Sequence, residues 1–394
     1  MTLRPLFLLT VLCSLTASSA AQERPQDKRW LRHVVAAGFV TQTAVAADFT
    51  GDGKLDVIAS DITTKSEKLM LYPGPTFTPV VIGEGIRTIF AVALDVNHDG
   101  RTDVIAARYH PGLIYWLEQP KDALHDKWNY HVIDDAADGG ADGVHGLLLS
   151  DLDSDGHVDL AGSSGQPEGP MKDSLVWYSV PQGDKVNGRW PRFAFAKGDA
   201  PGLSHYVGVG DVNGDGRPDI AAAAKDSPGG NWFAWWEHPG KAKGRDPRQP
   251  WTKHGIAEGQ VGATNIQIVD LNGDGKPDFV GTRGHGAGVV WYQAPGWQAH
   301  DVDAEIKGPH ALVIGDMNRD GKPDLVVVAK DSLVAVWYEN DGRGRFTRHE
   351  ISNHQSAYDV RLADVDGDGD LDILVAGFET KDVVWYENPL AFRK

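Results

Sequence analysis

Cysteine, excess positive charge and long apolar runs are all scarce in this sequence. The one cysteine among 394 residues, Cys13, lies in the first apolar segment, so no disulfide can cross-link the rest of the chain. Its 38 Lys and Arg residues are outnumbered by 55 Asp and Glu residues, and the net charge of −17 argues against binding to nucleic acid phosphates. After that segment, no stretch approaches the ~18 consecutive apolar residues of a membrane span. We therefore expect a monomer without disulfides, membrane spans or a nucleic acid partner.

The first twenty residues have the pattern of a secretory signal peptide. Arg4 is followed by an apolar run over residues 6–15 and then by small residues ending at Ala20 and Ala21. A basic start, an apolar middle and a small-residue cleavage site are typical of such peptides. The alternative is a buried apolar N-terminal segment. We predict a signal peptide over residues 1–20 and a secreted or periplasmic chain.

Glycine and aspartate are abundant, and they recur in a repeated motif. The pattern D-x-[DN]-x-D-G-x-x-D deviates only in its first copy, where Thr50 takes the third position. Seven copies at intervals of about 50 residues indicate one repeat architecture. The copies begin at Asp48, Asp95, Asp151, Asp211, Asp270, Asp316 and Asp364.

Each motif lies between short apolar segments of β character. Two more β-rich segments follow it, one of them aromatic, as at residues 175–178 and 289–292. Four short strands per repeat predict an all-β fold, a seven-bladed β-propeller with four-stranded blades, over residues 21–394 as one domain. A parallel β-helix, the competing repeat fold, has much shorter periods. Residues 30–35 precede the first motif and match the fourth strand, so this N-terminal strand is predicted to complete the C-terminal blade.

These motifs, set between two apolar strands, resemble the FG-GAP or VCBS repeat over about residues 30–389. The resemblance implies a calcium-binding propeller of the kind found in integrin α-subunits and many secreted bacterial proteins. The layout is also similar to the propeller of aldos-2-ulose dehydratase and, more distantly, to rhamnogalacturonan lyases. It is specific for fold and calcium and does not specify an activity.

The acidic loops offer the hard oxygen ligands that Ca²⁺ prefers, and position seven can add a backbone carbonyl. Turn chemistry alone could account for Asp and Gly, but it does not explain several mutually repelling carboxylates in each nine-residue loop. We predict up to seven structural calcium ions. The predicted ligands are Asp48, Asp52 and Asp56; Asp95, Asn97, Asp99 and Asp103; Asp151, Asp153, Asp155 and Asp159; Asp211, Asn213, Asp215 and Asp219; Asp270, Asn272, Asp274 and Asp278; Asp316, Asn318, Asp320 and Asp324; and Asp364, Asp366, Asp368 and Asp372.

The opposite face of the propeller is the predicted site of chemistry. Propeller ligands commonly bind where the blades converge at the channel mouth. The residue six places before each motif enters the inner strand from that face, and the seven are Gln42, Ile89, His145, His205, Thr264, His310 and Tyr358. Turns between the second and third strands add Arg283 and His285. We predict a site of His145, His205, His310, Tyr358, Arg283 and His285, in which the first three side chains are partly exposed.

These residue types leave two roles open. They could bind an anionic sugar or remove a proton beside a carbonyl, and three converging histidines could instead hold a transition metal such as Zn²⁺. The alternative is that the histidines only cap strand ends. A second set of histidines recurs on the outermost strand, which indicates architecture: His33, His131, His254, His300 and His349.

Three functions follow from this pattern. The favoured one is an enzyme that acts on carbohydrate by elimination, as a sugar dehydratase or polysaccharide lyase. The alternatives are a non-catalytic module that binds a glycan or a protein, and a scaffold in a cell-surface assembly. The chain contains no serine hydrolase, nucleotide-binding or zinc protease motif.

Overall fold

The computed structural model describes residues 29–63, 67–140, 142–163, 171–226, 229–240 and 245–389. The predicted signal peptide lies outside these residues. Within them, 28 strands form seven antiparallel sheets of four, so the all-β, seven-bladed fold is confirmed.

The strands follow one another blade by blade along the chain. The first strand, β1 (Leu31–Ala37), is followed by blade 1, with β2 (Ala44–Ala47), β3 (Asp56–Asp61), β4 (Lys68–Tyr72) and β5 (Val80–Glu84); blade 2, with β6 (Phe90–Leu94), β7 (Asp103–Arg108), β8 (Leu113–Glu118) and β9 (Asn129–Asp135); and blade 3, with β10 (Leu147–Ser150), β11 (Asp159–Gly162), β12 (Leu175–Tyr178) and β13 (Arg192–Ala196). The chain continues with blade 4, with β14 (Leu203–Gly210), β15 (Asp219–Lys225), β16 (Trp232–Glu237) and β17 (Thr252–Ala257); blade 5, with β18 (Asn265–Val269), β19 (Asp278–Thr282), β20 (Ala287–Gln293) and β21 (Gln298–Lys307); blade 6, with β22 (Pro309–Gly315), β23 (Asp324–Ala329), β24 (Val334–Asn340) and β25 (Phe346–Ser352); and blade 7, with β26 (Ala357–Ala363), β27 (Asp372–Gly377) and β28 (Asp382–Glu387).

The ring closes as the sequence predicts. Strand β1 pairs antiparallel with β28 as the outermost strand of blade 7, with Leu31 opposite Glu387 and Ala37 opposite Asp382. The first strand of each blade contacts that of the next, and β26 returns to contact β2. Because the two chain ends share one sheet, the edge of β28 is paired instead of exposed.

Burial explains why the strands differ in sequence. The second and third strands of each blade are apolar on both faces, as in β23 and β24, because neighbouring blades cover them on each side. The outermost strands alternate between exposed and half-buried residues, as in β25. Besides the strands, the described residues contain two short 3₁₀ helices, Ala136–Asp138 and Gly183–Asn187. No helix among the described residues has the length and apolarity to cross a membrane.

The outer-strand histidines form a repeated stack on the tryptophans of the third strand. His349 lies opposite Trp337, with ring centroids 4.4 Å apart, and its Nε2 is 2.8 Å from Glu339 Oε2. Four of the five histidines have both the stack and the glutamate. In blade 5, His300 stacks on Trp291 at 4.6 Å, and Gln293 takes the place of the glutamate. The five stacks pair His33 with Trp385, His131 with Trp116, His254 with Trp235, His300 with Trp291 and His349 with Trp337.

Candidate functional site

Three histidines from three blades converge at the channel mouth. His145, His205 and His310 each offer one ring nitrogen, and these nitrogens lie within 4.8 Å of one another. The sequence-based expectation of partly exposed side chains is wrong for these three, because their residual exposures are 7%, 3% and 0%. Blades meeting at the axis cover the rings from several sides. The three-histidine cluster is therefore a buried polar group.

β-Bulges place two of these side chains and Tyr358. In β22, Pro309 pairs with Ala329 and Ala311 with Val328, so His310 is the extra residue. The same shift in β26 leaves Tyr358 unpaired in the ladder, and one in β14 surrounds His205. A bulge turns a side chain out of the regular alternation and is common beside functional sites.

Glycines allow the strands that carry the histidines to approach closely. A Cβ on Gly146 would lie 2.7 Å from the His205 carbonyl oxygen, and one on Gly284 would lie 2.8 Å from the His310 Cα. Real Cβ atoms do not approach this closely, so any other residue would push the blades apart. The cluster depends on these backbone contacts as well as on its side chains.

Backbone carbonyls determine which ring nitrogens face the cluster. His310 Nδ1 donates to the Tyr358 carbonyl at 2.9 Å, and His205 Nδ1 donates to the Leu203 carbonyl at 3.3 Å. In both rings the lone pair therefore belongs to Nε2. His310 Nε2 and His145 Nδ1 are buried and have no hydrogen-bond partner among the described residues. Two ring nitrogens of the cluster, one of them the acceptor Nε2 of His310, thus lie buried without a hydrogen-bond partner among the described residues.

Burial keeps the cluster uncharged. Desolvation lowers the pKa of His145 to about 3, and it lowers the pKa values of His205 and His310 well below their usual range. Neighbouring histidines oppose protonation further, because two imidazolium charges at this separation repel. At neutral pH each ring is therefore a neutral imidazole, not a cation.

His285 contacts the three-histidine cluster, whereas the guanidinium of Arg283 hydrogen-bonds elsewhere. His285 Nε2 lies 3.1 Å from His205 Nε2, and burial with nearby Lys225 and Lys330 lowers the pKa of His285 to about 4. Arg283 is two residues away, but its guanidinium donates to Gln260 Oε1, at 2.7 Å from Nη2. Arg283 thus braces the turn through Gln260.

Lysines and aromatic rings surround the cluster. Lys225 and Lys330 lie on the turns that flank His285 in blades 4 and 6, and each forms an ion pair with the aspartate that follows it. The Tyr358 ring lies 3.7 Å from the His310 ring by centroid and packs on Phe378, and Tyr109 contacts His145 edge-on. The mouth therefore combines neutral bases, paired cations and half-buried aromatic faces.

Tyr206 also belongs to the channel mouth, and no sequence pattern singled it out. Its hydroxyl donates to the Tyr358 carbonyl at 2.9 Å and lies 3.4 Å from His310 Nδ1. Tyr206 also lines a neighbouring cavity of about 260 Å³ in the channel, where Arg361 pairs with buried Asp359 at 3.1 Å. Its place next to His205 was visible, but the bulge that turns both side chains inward was not.

The acidic loops lie at the opposite ends of the inner strands, and their carboxylates hold the turns. Asp316 accepts the backbone N–H groups of Asp320 and Gly321, and the first aspartate accepts the same two N–H groups in every other loop except the seventh, where Asp364 accepts only that of Gly369. The ninth-position Asp324 is buried and accepts N–H groups from Met317 and Asn340, so it also joins the loop to the third strand. This second contact was not predicted from the sequence.

Two loops bring three carboxylates together. Oxygen atoms of Asp151, Asp153 and Asp159 lie within 4.8 Å of one another, and Asp364, Asp366 and Asp372 form an equivalent group. In the seventh loop, Asp364 Oδ1 and both carboxylate oxygens of Asp370 are buried and have no hydrogen-bond partner among the described residues. Uncompensated oxygens of this kind fit a hard cation such as Ca²⁺.

The fold and the two kinds of site define the class of this protein as a seven-bladed β-propeller with acidic inter-strand loops. Residues 211–281, 270–327 and 316–375 match the family model described as an FG-GAP-like repeat, so this part of the chain consists of FG-GAP-like repeats. The expected repeat type is confirmed. No protein of curated function matches the sequence.

Solved structures with the same fold are distant in sequence. BBS1N in complex with ARL6DN is 12% identical, with a TM-score of 0.57 over 91% of this chain and 97% of that chain. YCF48 from Cyanidioschyzon merolae is 11% identical, with a TM-score of 0.54 over 92% and 99%. The rhamnogalacturonan lyase YesW is 13% identical, with a TM-score of 0.50 over 91% and 75%. At these identities the likeness concerns the fold alone.

Proposed function

We propose that this chain is an exported, calcium-stabilised propeller that binds carbohydrate at its channel mouth and acts on it by elimination. The observation that carries the proposal is the convergence of four neutral histidines between Lys225 and Lys330. Elimination beside a carbonyl needs an unprotonated base and a positive group near the oxygen that gains charge. Both are present within one mouth.

The rim of the mouth suits a sugar ring. Tyr109, Tyr358 and Phe378 are half-buried and leave aromatic surface at the edge of the cluster. Binding sites of small ligands typically combine such apolar surfaces with a few converging polar groups. Lys225 and Lys330 offer a carboxylate or carbonyl oxygen its positive partner. A uronic acid or a keto-sugar is the substrate class with this combination of groups.

His285 is the proton acceptor in this proposal. It is less buried than the other three histidines, and its neutral imidazole lies beside both lysines. The substrate loses the proton from the carbon next to its carbonyl or carboxylate to His285. The electron pair of that bond forms a carbon–carbon double bond as the carbon–oxygen bond at the next carbon breaks, and the departing oxygen takes a proton from solvent. The product is an unsaturated sugar.

A substrate panel tests this function. Wild-type protein, His285→Gln and His349→Gln are incubated with uronic acid polymers and keto-sugars, and unsaturated products are followed by ultraviolet absorbance. We expect product with wild type and with His349→Gln, and little with His285→Gln. The absence of product across the panel would contradict elimination, and the absence of saturable sugar binding would contradict the carbohydrate site as well.

Binding without chemistry is the second candidate. Val261 and Leu333 are 66% and 36% exposed on loops of the same face, where a bound protein or glycan would cover them. One similar propeller structure is titled YCF48 bound to D1 peptide. Saturable binding of a glycan or peptide without any product in the same panel would support this function.

Calcium is proposed to occupy the acidic loops, where it would link the first two strands of each blade. Ions that bind only the folded state stabilise it, by about 2.7 kcal/mol per site at a free concentration 100 times Kd. We expect EGTA to lower the melting temperature and added Ca²⁺ to restore it. Asp364→Asn should reproduce part of the loss, whereas Glu305→Gln, an acidic residue outside the loops, should not. An unchanged melting curve in a sample shown to be metal-free would contradict calcium binding.

A further inference from the structure

We infer that His145, His205 and His310 form a binding site for one divalent transition-metal ion, with Zn²⁺ as the best-fitting ion and one coordination position open toward the mouth. The site lies on the face opposite the acidic loops and uses a different ligand chemistry. Three blades supply one ligand each, so the ion would join blades 3, 4 and 6 across the channel.

The distances support a common ion. One ring nitrogen from each histidine lies within 4.8 Å of the other two. Nitrogens bound to one Zn²⁺ at about 2.0–2.1 Å lie within roughly 4 Å of each other. The three nitrogens are therefore close to the spacing that a single ion requires.

The second contacts of the rings are those of metal ligands. His205 and His310 each donate Nδ1–H to a backbone carbonyl, which orients the ring and leaves the Nε2 lone pair toward the cluster. Metal-bound histidines usually have such a carbonyl or carboxylate partner. His310 Nε2 and His145 Nδ1 are buried without a partner among the described residues, and a buried polar atom left unpaired is costly. An ion would satisfy both atoms at once.

The ligand set selects the kind of ion. Neutral imidazoles bind Zn²⁺ and neighbouring transition metals, whereas carboxylates and carbonyls suit Ca²⁺ and Mg²⁺. Three neutral ligands leave the charge of a divalent ion uncompensated. The open position would therefore attract an anionic oxygen. This last step rests on the proposed function, since a sugar carboxylate or enolate is such an oxygen.

His285 is placed beside the site instead of among the three ligands. Its Nε2 lies 3.1 Å from His205 Nε2, but it is not part of the group whose nitrogens all lie within 4.8 Å. Three ligands and one open position are typical of catalytic zinc, whereas structural zinc has four protein ligands. His285 would then contact whatever occupies the open position.

Metal titration tests the site without a substrate. The full chain is stripped of metal, saturated with Ca²⁺ so that the acidic loops are filled, and titrated with Co²⁺ and Zn²⁺. Co²⁺ binding is followed by its visible absorption, and Zn²⁺ by elemental analysis after dialysis. The variants are His145→Gln, His310→Gln and His285→Gln, with the outer-strand variant His349→Gln as the matched control.

We expect wild type, His285→Gln and His349→Gln to bind one ion per chain with a tetrahedral Co²⁺ spectrum. His145→Gln and His310→Gln should weaken binding by roughly 100-fold or more, because even loss of a residue that only supports a ligand costs 10–100-fold. Weak Co²⁺ binding that is equal in all five proteins would overturn the site. An equal loss in His285→Gln would overturn the open position. Metal binding without product in the sugar panel would contradict the proposed function and leave the metal site standing.

Discussion

Two sets of histidines, one at the centre of the propeller and one at its rim, have opposite environments. At the rim, five histidines repeat at one position, each stacked on the tryptophan opposite, and four of them also contact a glutamate. At the centre, His145, His205 and His310 also share one position, but only some blades carry a histidine there. The central rings contact one another instead of repeated partners.

The difference separates architecture from chemistry. A contact repeated in most blades contributes to each blade equally, so its role is to pack a strand. The three-histidine cluster is built from unlike blades and occurs once per molecule, so the repetition of blades does not account for it. Buried polar groups that lack partners reduce stability, so their presence at the centre supports the proposed metal site.

The largest effect expected is a loss of stability when a whole outer strand at the rim is removed. Deletion of residues 31–37 removes β1, including His33, and exposes the edge of β28. We expect aggregation or loss of cooperative unfolding, measured by size-exclusion chromatography and thermal denaturation. A peptide of residues 29–38 added in trans should restore part of the stability. A monomeric deletion variant with wild-type melting behaviour would show that the rim is dispensable.

The next largest effect is on activity at the centre. His285→Gln should reduce turnover by about 100-fold or more, because general bases contribute on the order of 10²–10⁴ to the rate. Its melting temperature should stay close to that of wild type, because the side chain is partly exposed and its size is nearly kept. Turnover and melting temperature are measured on the same preparation. Equal turnover in His285→Gln and wild type would remove His285 from the mechanism.

Acidification should lower the free energy of unfolding of metal-depleted protein, because the central histidines are buried in their neutral form. The pKa of His145 is about 3 in the folded chain, against ~6.5 when unfolded, so protonation favours the unfolded state. The contribution of the neutral histidine to the free energy of unfolding is fully present above pH 6.5. It falls as the pH drops below 6.5, by up to about 1.4 kcal/mol per pH unit for each such histidine. Urea unfolding at several pH values between 7 and 5 gives the free energy of unfolding as a function of pH. This free energy should fall less steeply with decreasing pH for His145→Gln than for wild type or His349→Gln. Identical slopes would show that His145 is not buried in its neutral form.

The smallest effect is expected from one rim contact. Glu339→Gln weakens the 2.8 Å contact with His349, whose side chain is 38% exposed, so the loss should stay within about 0.2–1 kcal/mol. Blade 5 already has this arrangement, since His300 keeps its stack beside Gln293. Urea unfolding measures the loss, and turnover should not change. A loss of several kcal/mol would mean that the glutamate, not the stack, holds the strand.

Much of the site could be located from the sequence, but not its environment. The shared position six residues before each motif identified His145, His205, His310 and Tyr358 because repeats align without any structure. The predicted exposure was wrong because the distance of a side chain from the channel axis depends on how the blades pack. Arg283 was predicted to belong to the site because it is close to His285 in the sequence. Its guanidinium instead donates to Gln260, 23 residues away in the chain.

The sequence by itself determined the blade number, the strand order and the pairing of the two chain ends, because alternation, turn residues and the acidic motif are local signals that repeat. Only the tertiary structure decided which side chains meet. The bulges at His310 and Tyr358 and the close approach at Gly146 and Gly284 involve strands from different blades. Such contacts depend on how seven sheets close into a ring, and no local pattern of residues encodes that geometry.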